Sequence, residues 1–166
     1  MTYRIEPLAG HDLGAFECGN DDLGEWLRRH ARTATGQGVR TYVLVDEDGA
    51  VVGYFAVTPH LLDRAEAPSK LARGASRQIP AILLTKFAIV TSLQGQGLGS
   101  ELLLGALGVI IDAARRAGGR VVVVDAIDDQ ARAFYLHHDF QPIPGHDRRL
   151  VMKLSTAAKA LLIAWP

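Results

Sequence analysis

Three alternating glycines, Gly95, Gly97 and Gly99, stand between a long strand pattern and a long helix pattern. Glycine adopts positive φ without steric cost and lets a ligand approach the backbone closely. The N-terminus of a helix presents N–H groups that have no intrahelical partner, and its dipole attracts anions. The segment Gln94–Ser100 therefore predicts a cradle for a phosphate or pyrophosphate group.

Two common glycine-loop ligands are disfavoured by the spacing. A P-loop needs a lysine directly after its last glycine, and here Gly99 is followed by Ser100. A dinucleotide-binding loop needs Gly or Ala at a third position that Ser100 occupies, and it normally follows the first strand of the domain. A nucleoside triphosphate and a nicotinamide or flavin dinucleotide are thus poor candidates.

The flanking patterns predict a mixed α/β fold in one domain over residues 1–166, with a central sheet of about six to seven strands and helices on both faces. The predicted strands cover residues 3–8, 41–45, 51–57, 81–90, 121–126 and 149–154, and the predicted helices cover 21–35, 98–117, 128–138 and 155–163. Residues 58–78 mix prolines, glycine and charges, and they predict a long irregular loop. The unit from 82 to 126 is a strand–helix–strand crossover with parallel strands.

Composition limits the cellular context. No apolar run reaches the ~18–20 residues that span a bilayer, and no signal-peptide pattern opens the chain. The single cysteine, Cys18, excludes an internal disulfide and a cysteine-rich metal site. We therefore expect a cytoplasmic protein without a membrane or metal site.

The net charge is zero, but residues 64–120 contain eight basic and three acidic side chains. This middle segment includes the glycine loop, and it favours an anionic ligand. A solvated surface is an equally reasonable interpretation of the same charges.

Two motifs together carry a family resemblance. Gln94-Gly95-Gln96-Gly97-Leu98-Gly99 matches Gln/Arg-x-x-Gly-x-Gly/Ala, and about 35 residues later Ala131-Arg132-Ala133-Phe134-Tyr135 precedes Asp139-Phe140. The chain resembles the GNAT superfamily of N-acetyltransferases, whose second motif has Gly where this chain has Asp139. Asp is one of the residues that tolerate the left-handed region.

The resemblance implies acetyl-coenzyme A as cofactor and assigns roles to residues. The backbone of Phe87, Ala88 and Ile89 would hold the pantetheine arm and the thioester carbonyl. The pyrophosphate would lie against the loop, and Asp129 and Phe134 would complete the coenzyme site; the loop residues are Gln94, Gly95, Gln96, Gly97, Leu98, Gly99 and Ser100.

Tyr135 would be the general acid, since a phenol pKa near ~10 is close enough to a thiol pKa near ~8.5 for proton transfer. No general base stands out among His137, His138, Glu66 and Asp125, and a water relay is as plausible. Cys18 is a packing residue rather than an acyl acceptor, because nothing in the sequence places a base beside it.

Further segments resemble the GNAT toxins of bacterial toxin–antitoxin pairs, the TacT-like group, over residues 3–154. They include Phe16-x-Cys18-Gly19, Arg40–Val45, Ile79–Leu84 and Val123–Ala126. This resemblance implies acetylation of the α-amine of aminoacyl-tRNA by direct transfer, a ribbon-helix-helix antitoxin and a homodimer. Arg73 and Arg77, with Lys70 and the arginines at 28, 29 and 32, are candidates for contacts with tRNA phosphates.

Two alternative functions are compatible with the same motifs. One is a GNAT enzyme that acetylates a small amine or a protein amine without being a toxin. The other is a non-enzymatic module that binds acetyl-coenzyme A as a structural or sensing ligand.

Overall fold

The computed structural model describes residues 2–166, and within them seven strands form one mixed sheet in the order β1-β2-β3-β4-β5-β7-β6. The strands are β1 (Arg4–Pro7), β2 (Arg40–Val45), β3 (Val51–Asp63), β4 (Gln78–Ile89), β5 (Val121–Asp125), β6 (Gln141–Pro142) and β7 (Arg149–Lys153). The predicted α/β architecture with six to seven strands is confirmed.

Helices occupy the connections from β1 to β2, β3 to β4, β4 to β5 and β5 to β6, and one helix follows β7. They are α1 (Asp21–Glu25), α2 (Ala31–Thr35), α3 (Ser69–Ala72), α4 (Leu98–Ala117), α5 (Asp129–His137) and α6 (Leu154–Ala160). A π-helical turn, Trp26–His30, joins α1 to α2, and single 3₁₀ turns occupy Arg64–Glu66 and Thr91–Leu93. No helix within residues 2–166 is long and apolar enough to cross a membrane.

The chain divides into two compact units. The first comprises the chain up to Thr58 together with Thr85–Ala106, and the second comprises Pro59–Leu84 together with Leu107–Pro166. The sequence predicts a single domain over residues 1–166, and that remains a prediction.

The first unit is built on the antiparallel strands β1, β2 and β3. Asp46 accepts hydrogen bonds from the N–H groups of Asp48 and Ala50, which closes the β2–β3 hairpin at the predicted Asp-Gly turn. Tyr54 lies in the core below α1, where its hydroxyl donates to the carbonyl of Leu23 at 2.7 Å. Burial raises the pKa of this phenol well above its usual range, so it stays a hydrogen-bond donor.

The second unit contains the predicted parallel pair. Ala81–Leu84 of β4 pairs with Val121–Val124 of β5, and the four valines are fully buried. The antiparallel strand β7 pairs with β5 on its other side, and Gln141–Pro142 pairs with β7. A continuous β-branched run thus forms a fully buried strand, as its pattern indicates.

The prediction of an irregular loop over 58–78 is wrong. Strand β3 continues to Asp63 through Pro59, and β4 begins at Gln78, three residues before its predicted start. Proline removes one N–H group but its φ is compatible with an extended strand. The connection between them is residues 64–77, and it contains a 3₁₀ turn and α3.

Three smaller differences have local causes. The π turn interrupts the predicted helix 21–35, and β6 is too short to leave a pattern in the sequence. The last helix ends at Ala160 instead of residue 163, because Leu162 takes a positive φ of 56° and the chain leaves the helix there.

Gly53 sets how closely β3 approaches the end of β4. A Cβ at this position would lie 2.9 Å from Cδ1 of Ile89 and 3.2 Å from the carbonyl oxygen of Ala88. We expect Gly53→Ala to lower the free energy of unfolding by about 1–3 kcal/mol, because the neighbouring backbone must shift. Urea denaturation measures this change.

Gly108 within α4 is the matched control, because a Cβ there would meet no atom within 4 Å. Gly108→Ala should raise the free energy of unfolding by about 0.5–1 kcal/mol through helix propensity. Equal effects of the two substitutions would contradict the close approach at Gly53.

Candidate functional site

The end of β4 is tied to the N-terminal part of the first unit. The N–H of Val90 donates to the carbonyl of Val52 at 2.9 Å, and the N–H of Thr91 donates to the carbonyl of Glu17 at 2.9 Å. Of the residues predicted to hold the pantetheine arm, Ala88 and Ile89 are buried and Phe87 is half-buried. Their side chains therefore belong to the packing, and their backbone is what remains for a ligand.

The side chain of Gln94 joins three parts of this unit. Its Nε2 donates to the carbonyl of Cys18 at 2.8 Å and to the carbonyl of Ile89 at 2.9 Å. One amide group thereby fixes the start of the glycine loop to the end of β4 and to a segment 76 residues earlier. The side chain of Gln94 thus positions the loop, and the predicted contact of Gln94 with the coenzyme stays a prediction.

Gly95 and Gly97 have φ of 76° and 83°, in the left-handed region where other residues are strained. A Cβ on either glycine would meet no protein atom within 4 Å, so both face open space. Leu98 is buried and begins α4, which places Gly99 and Ser100 in its first turn. The loop is thus an open backbone cradle at a helix N-terminus, which suits a pyrophosphate.

The cradle has no cationic side chain of its own. Gln96 is exposed, and its Nε2 reaches only the carbonyl of Ser92 at 3.3 Å. Attraction for an anion must come from backbone N–H groups and from the dipole of the 20-residue helix α4.

In the second unit, α5 carries the downstream motif. Its N-cap is Asp128, whose Oδ1 accepts from the N–H of Ala131 at 2.8 Å. Asp129 lies in the first turn, exposed, and pairs with Arg148 at 2.9 Å. Phe134 is half-buried and stacks edge-on against Tyr135.

Tyr135 is buried, with only 5% of its surface exposed. Its ring lies edge-on between Phe134 and Phe140, with centroid distances of 5.4 Å to each. Burial raises the pKa of its phenol well above the usual value, because a phenolate would be poorly solvated there. The hydroxyl is therefore protonated throughout the neutral range, which is the state that a general acid needs.

Asp139, which stands at the glycine position of the motif, has a φ of 70°. The predicted tolerance of Asp for the left-handed region is confirmed. The turn lets Phe140 fold back, so that its N–H donates to the carbonyl of Tyr135 at 3.1 Å.

The candidate bases are held in different ways. Asp125 forms a bidentate pair with Arg149, with distances of 2.7 and 2.9 Å, and His60 lies 3.4 Å from the same guanidinium. Glu66 lies 3.9 Å from His146. Burial, together with His137, lowers the pKa of His138.

Cys18 is buried, and its Sγ donates to the carbonyl of Asn20 at 3.4 Å. This placement agrees with the packing role that the sequence analysis expects. Within residues 2–166 no cluster of three or more His, Cys, Asp or Glu side chains is placed to hold a metal ion.

Four of the five arginines predicted to contact tRNA divide into two groups, and the fifth, Arg29, pairs with Glu25 at 3.9 Å. Arg28 donates to the carbonyl of Phe16, and Arg32 donates to the carbonyls of Ala9 and His11. Both side chains thus form hydrogen bonds within the first unit. Arg73 and Arg77 are exposed and line a cavity of about 580 Å³ in the second unit.

Sequence reasoning missed two features of the site. One is the contact between the loop and the Glu17–Cys18 segment, which is more than 70 residues away in the chain. The other is Arg64, which lines the same cavity as Arg73 and Arg77. Neither a long-range backbone contact nor the convergence of three arginines leaves a periodic signal in the sequence.

Comparison with known proteins gives consistent matches. Residues 37–142 match a family model described as an acetyltransferase (GNAT) domain. A tRNA-acetylating toxin of Mycobacterium tuberculosis (strain ATCC 25618 / H37Rv) is 36% identical over 151 residues, which are 91% of this chain and 90% of that protein.

Two solved structures of the AtaT toxin are also similar to the whole chain. AtaT complexed with acetyl-methionyl-tRNAfMet superposes with a TM-score of 0.87 at 28% identity, covering 96% of this chain and 99% of that one. A Tyr-to-Phe variant of AtaT, bound to the C-terminus of the antitoxin AtaR and to acetyl-CoA, has a TM-score of 0.82 at 26% identity, with coverage of 98% and 99%.

The two hydrogen bonds of the Gln94 amide lead to a prediction about loop order. Gln94→Ala should lower the free energy of unfolding by about 1–3 kcal/mol, at ~0.5–1.5 kcal/mol per hydrogen bond. It should also speed amide exchange at residues 95–100, measured by hydrogen–deuterium exchange mass spectrometry.

Gln96→Ala is the control, because that side chain makes one long contact within its own turn. It should leave both the stability and the exchange rates close to wild type. Unchanged exchange of the loop in Gln94→Ala would show that the Gln94 amide does not hold it.

Proposed function

This chain belongs to the GNAT family of acetyltransferases, and from that premise we propose that it is a toxin that acetylates the α-amino group of aminoacyl-tRNA. The chain is an N-acetyltransferase that uses acetyl-CoA. The observation that carries the proposed substrate is the 36% identity, across nine-tenths of both proteins, to a tRNA-acetylating toxin. The AtaT complex with acetyl-methionyl-tRNAfMet supports the same substrate class.

The glycine cradle fits the pyrophosphate of acetyl-CoA. Gly95 and Gly97 leave open space where other residues would place a Cβ, and the N–H groups of the first turn of α4 extend the donor set. We assign the pantetheine arm to the backbone of Phe87–Ile89, and assign Asp129 and Phe134 to the remainder of the coenzyme site. Bound acetyl-CoA supplies an acetyl group activated as a thioester.

Tyr135 is assigned as the general acid, with its proton held at Oη. Its raised pKa makes it a weaker acid than free tyrosine. The environment that disfavours a phenolate also disfavours a thiolate, since both anions lose solvation on burial. Burial therefore raises the pKa values of both the phenol and the leaving thiol, so a proton can still pass from Oη to the sulfur.

The amine does not require a dedicated base. An α-amino group has a pKa near ~7.7–8.0, so a substantial fraction is neutral at physiological pH. Asp125 is engaged by Arg149 and is a poor candidate for this role. A water relay fits this arrangement.

Direct transfer from the coenzyme to the amine is proposed over a covalent enzyme intermediate. The one thiol, Cys18, is buried and hydrogen-bonded within the first unit, so it is not available as an acyl acceptor. Catalysis then depends on positioning of the amine and on hydrogen-bond donors from the end of β4.

The proposed partners follow from the same relatives. AtaT is described in complex with its antitoxin AtaR, and we propose that a ribbon-helix-helix antitoxin neutralises this chain. A homodimer is proposed as its form in solution. An acetyltransferase for a small amine or a protein amine is the second candidate, because it would use the same glycine cradle.

A substitution at Gly97 tests whether the glycine loop binds acetyl-CoA. Gly97→Val should weaken acetyl-CoA binding at least about tenfold, because valine is strained at a φ of 83° and its side chain would enter the space beside the loop. Isothermal titration calorimetry with acetyl-CoA measures the loss.

Gly38→Val is the matched control, because Gly38 has a φ of 94°, also faces open space and lies outside the loop. It should bind acetyl-CoA as wild type does, although it carries similar backbone strain. Wild-type affinity in Gly97→Val would remove the cradle from the coenzyme site.

A substitution at Tyr135 tests its proposed role as the general acid. Tyr135→Phe should keep the fold and coenzyme affinity, since its ring contacts persist, and should lower kcat by about 10²–10⁴-fold. In the wild type, activity should show no loss from tyrosine ionisation between pH 8 and 10, because a raised pKa keeps the phenol protonated there. Steady-state rates across this pH range check both expectations.

Expression in bacteria tests the toxin assignment. Wild type should arrest growth and translation, whereas Tyr135→Phe should not. Tyr42→Phe, which removes a hydroxyl from a ring stacked on Phe55 in the first unit, is the control and should remain toxic. Normal growth with active wild-type enzyme would favour the small-amine or protein-amine candidate.

A further inference from the structure

Three arginines converge on one cavity in the second unit. Arg64, Arg73 and Arg77 line about 580 Å³ together with Asp63 and Ser69, and we call this space the arginine cavity. Arg64 follows directly on β3, and the other two lie before β4. The connection that the sequence leaves as an irregular loop thus builds a concave basic surface.

The residues that line the arginine cavity carry three guanidinium groups and one carboxylate, that of Asp63, so positive charge is in excess. None of the three guanidinium groups forms an ion pair in the part of the chain that the structure describes. Arg64 donates one hydrogen bond, to the carbonyl of Ala75 at 3.1 Å. The carboxylate of Asp63 accepts from the N–H of Ala65 at 2.9 Å, so it caps the 3₁₀ turn.

The side chains of Arg73 and Arg77 form no hydrogen bond or ion pair within residues 2–166, in contrast to most of the other arginines. Arg28 and Arg32 are engaged by carbonyls, while Arg116, Arg148 and Arg149 are paired with aspartates. Like charges that share a cavity repel one another, although solvent screens much of the effect. An anion that enters the cavity would remove that repulsion.

The two units also differ in charge. The second unit has twelve lysine and arginine residues and eight acidic residues, whereas the first has six and ten. The chain has zero net charge, but its second unit, which contains the arginine cavity, has an excess of basic residues. A basic surface of this kind attracts polyanions and steers their association.

Resting on the proposed function, we propose that the arginine cavity binds backbone phosphates of the tRNA substrate. Guanidinium groups match phosphate geometry with two parallel hydrogen bonds, and the Ser69 hydroxyl adds a further donor. The cavity is larger than one phosphate needs, which suits consecutive phosphates of a nucleic-acid strand. Phosphate contacts position a nucleic acid without reading its sequence.

The salt dependence of tRNA binding tests this proposal without requiring catalysis. Each lost phosphate contact should reduce the slope of log K against log[salt] by about 0.7–0.9. Arg73→Gln/Arg77→Gln should therefore flatten the slope by up to about 1.4–1.8 and weaken binding at least about tenfold at 100 mM salt. Fluorescence anisotropy with labelled, uncharged tRNA measures both quantities.

Two further variants test whether the effect is specific to the arginine cavity. Arg115→Gln changes an exposed arginine in the last turn of α4, outside the cavity, and should retain the wild-type slope. Arg64→Gln should flatten the slope by about one contact, with its fold checked by thermal denaturation because it loses the bond to Ala75. Equal slopes for wild type and Arg73→Gln/Arg77→Gln, or equal losses in Arg115→Gln, would overturn the proposal.

A short substrate separates this inference from the proposed function. With an aminoacyl-CCA trinucleotide, Arg73→Gln/Arg77→Gln should keep the wild-type kcat, because the short substrate lacks the phosphates of the acceptor stem. A comparable loss of kcat would place these arginines in the transfer site and overturn the phosphate role. Slope changes as predicted, in a wild type that acetylates no aminoacyl-tRNA, would refute the proposed function and support the cavity.

Competition identifies the class of anion. Duplex RNA should displace labelled tRNA from wild type more effectively than polyglutamate at equal charge concentration, and this difference should shrink in Arg73→Gln/Arg77→Gln. Equal displacement by polyglutamate would assign the arginine cavity to an acidic peptide instead, and would overturn the proposal.

Discussion

The amide of Gln94 ties the start of the glycine loop to two other parts of the chain. It donates to one carbonyl at the end of β4 and to another in the N-terminal segment, and both acceptors are main-chain atoms. The loop that follows has positive φ at two glycines, a conformation with little stabilisation of its own. A cradle that relies on backbone donors must be held accurately, because N–H groups cannot reorient as a long cationic side chain can.

The absence of positive charge from the cradle side chains is consistent with this construction. Donors fixed by the fold need little reorganisation when a pyrophosphate binds, and the dipole of α4 adds attraction. Positive charge is instead concentrated in the second unit, where the proposed contacts are with a much larger anion. We interpret this division as a coenzyme site that relies on geometry and a nucleic-acid surface that relies on charge.

The sequence predicted the features that depend on local pattern. The bounds of α4, the buried valines of β5, the glycine loop and the left-handed Asp139 all follow from periodicity, β-branching or conformational tolerance. The continuation of β3 through Pro59 was not predicted, because a proline weakens a strand pattern even where the fold accommodates it. The partners of Gln94 and the convergence of Arg64 with Arg73 and Arg77 depend on tertiary structure, so no local pattern contains them.

We propose that this acetyltransferase modifies the amine of an aminoacyl ester on tRNA. Purified protein would be incubated with acetyl-CoA and a charged tRNA pool, and the products digested with nuclease and analysed by mass spectrometry. We expect N-acetyl-aminoacyl-adenosine as the acetylated product, and we expect it to be absent when the tRNA is deacylated beforehand. Acetyl groups found on protein lysines or on free amines, with none on the aminoacyl esters, would contradict it.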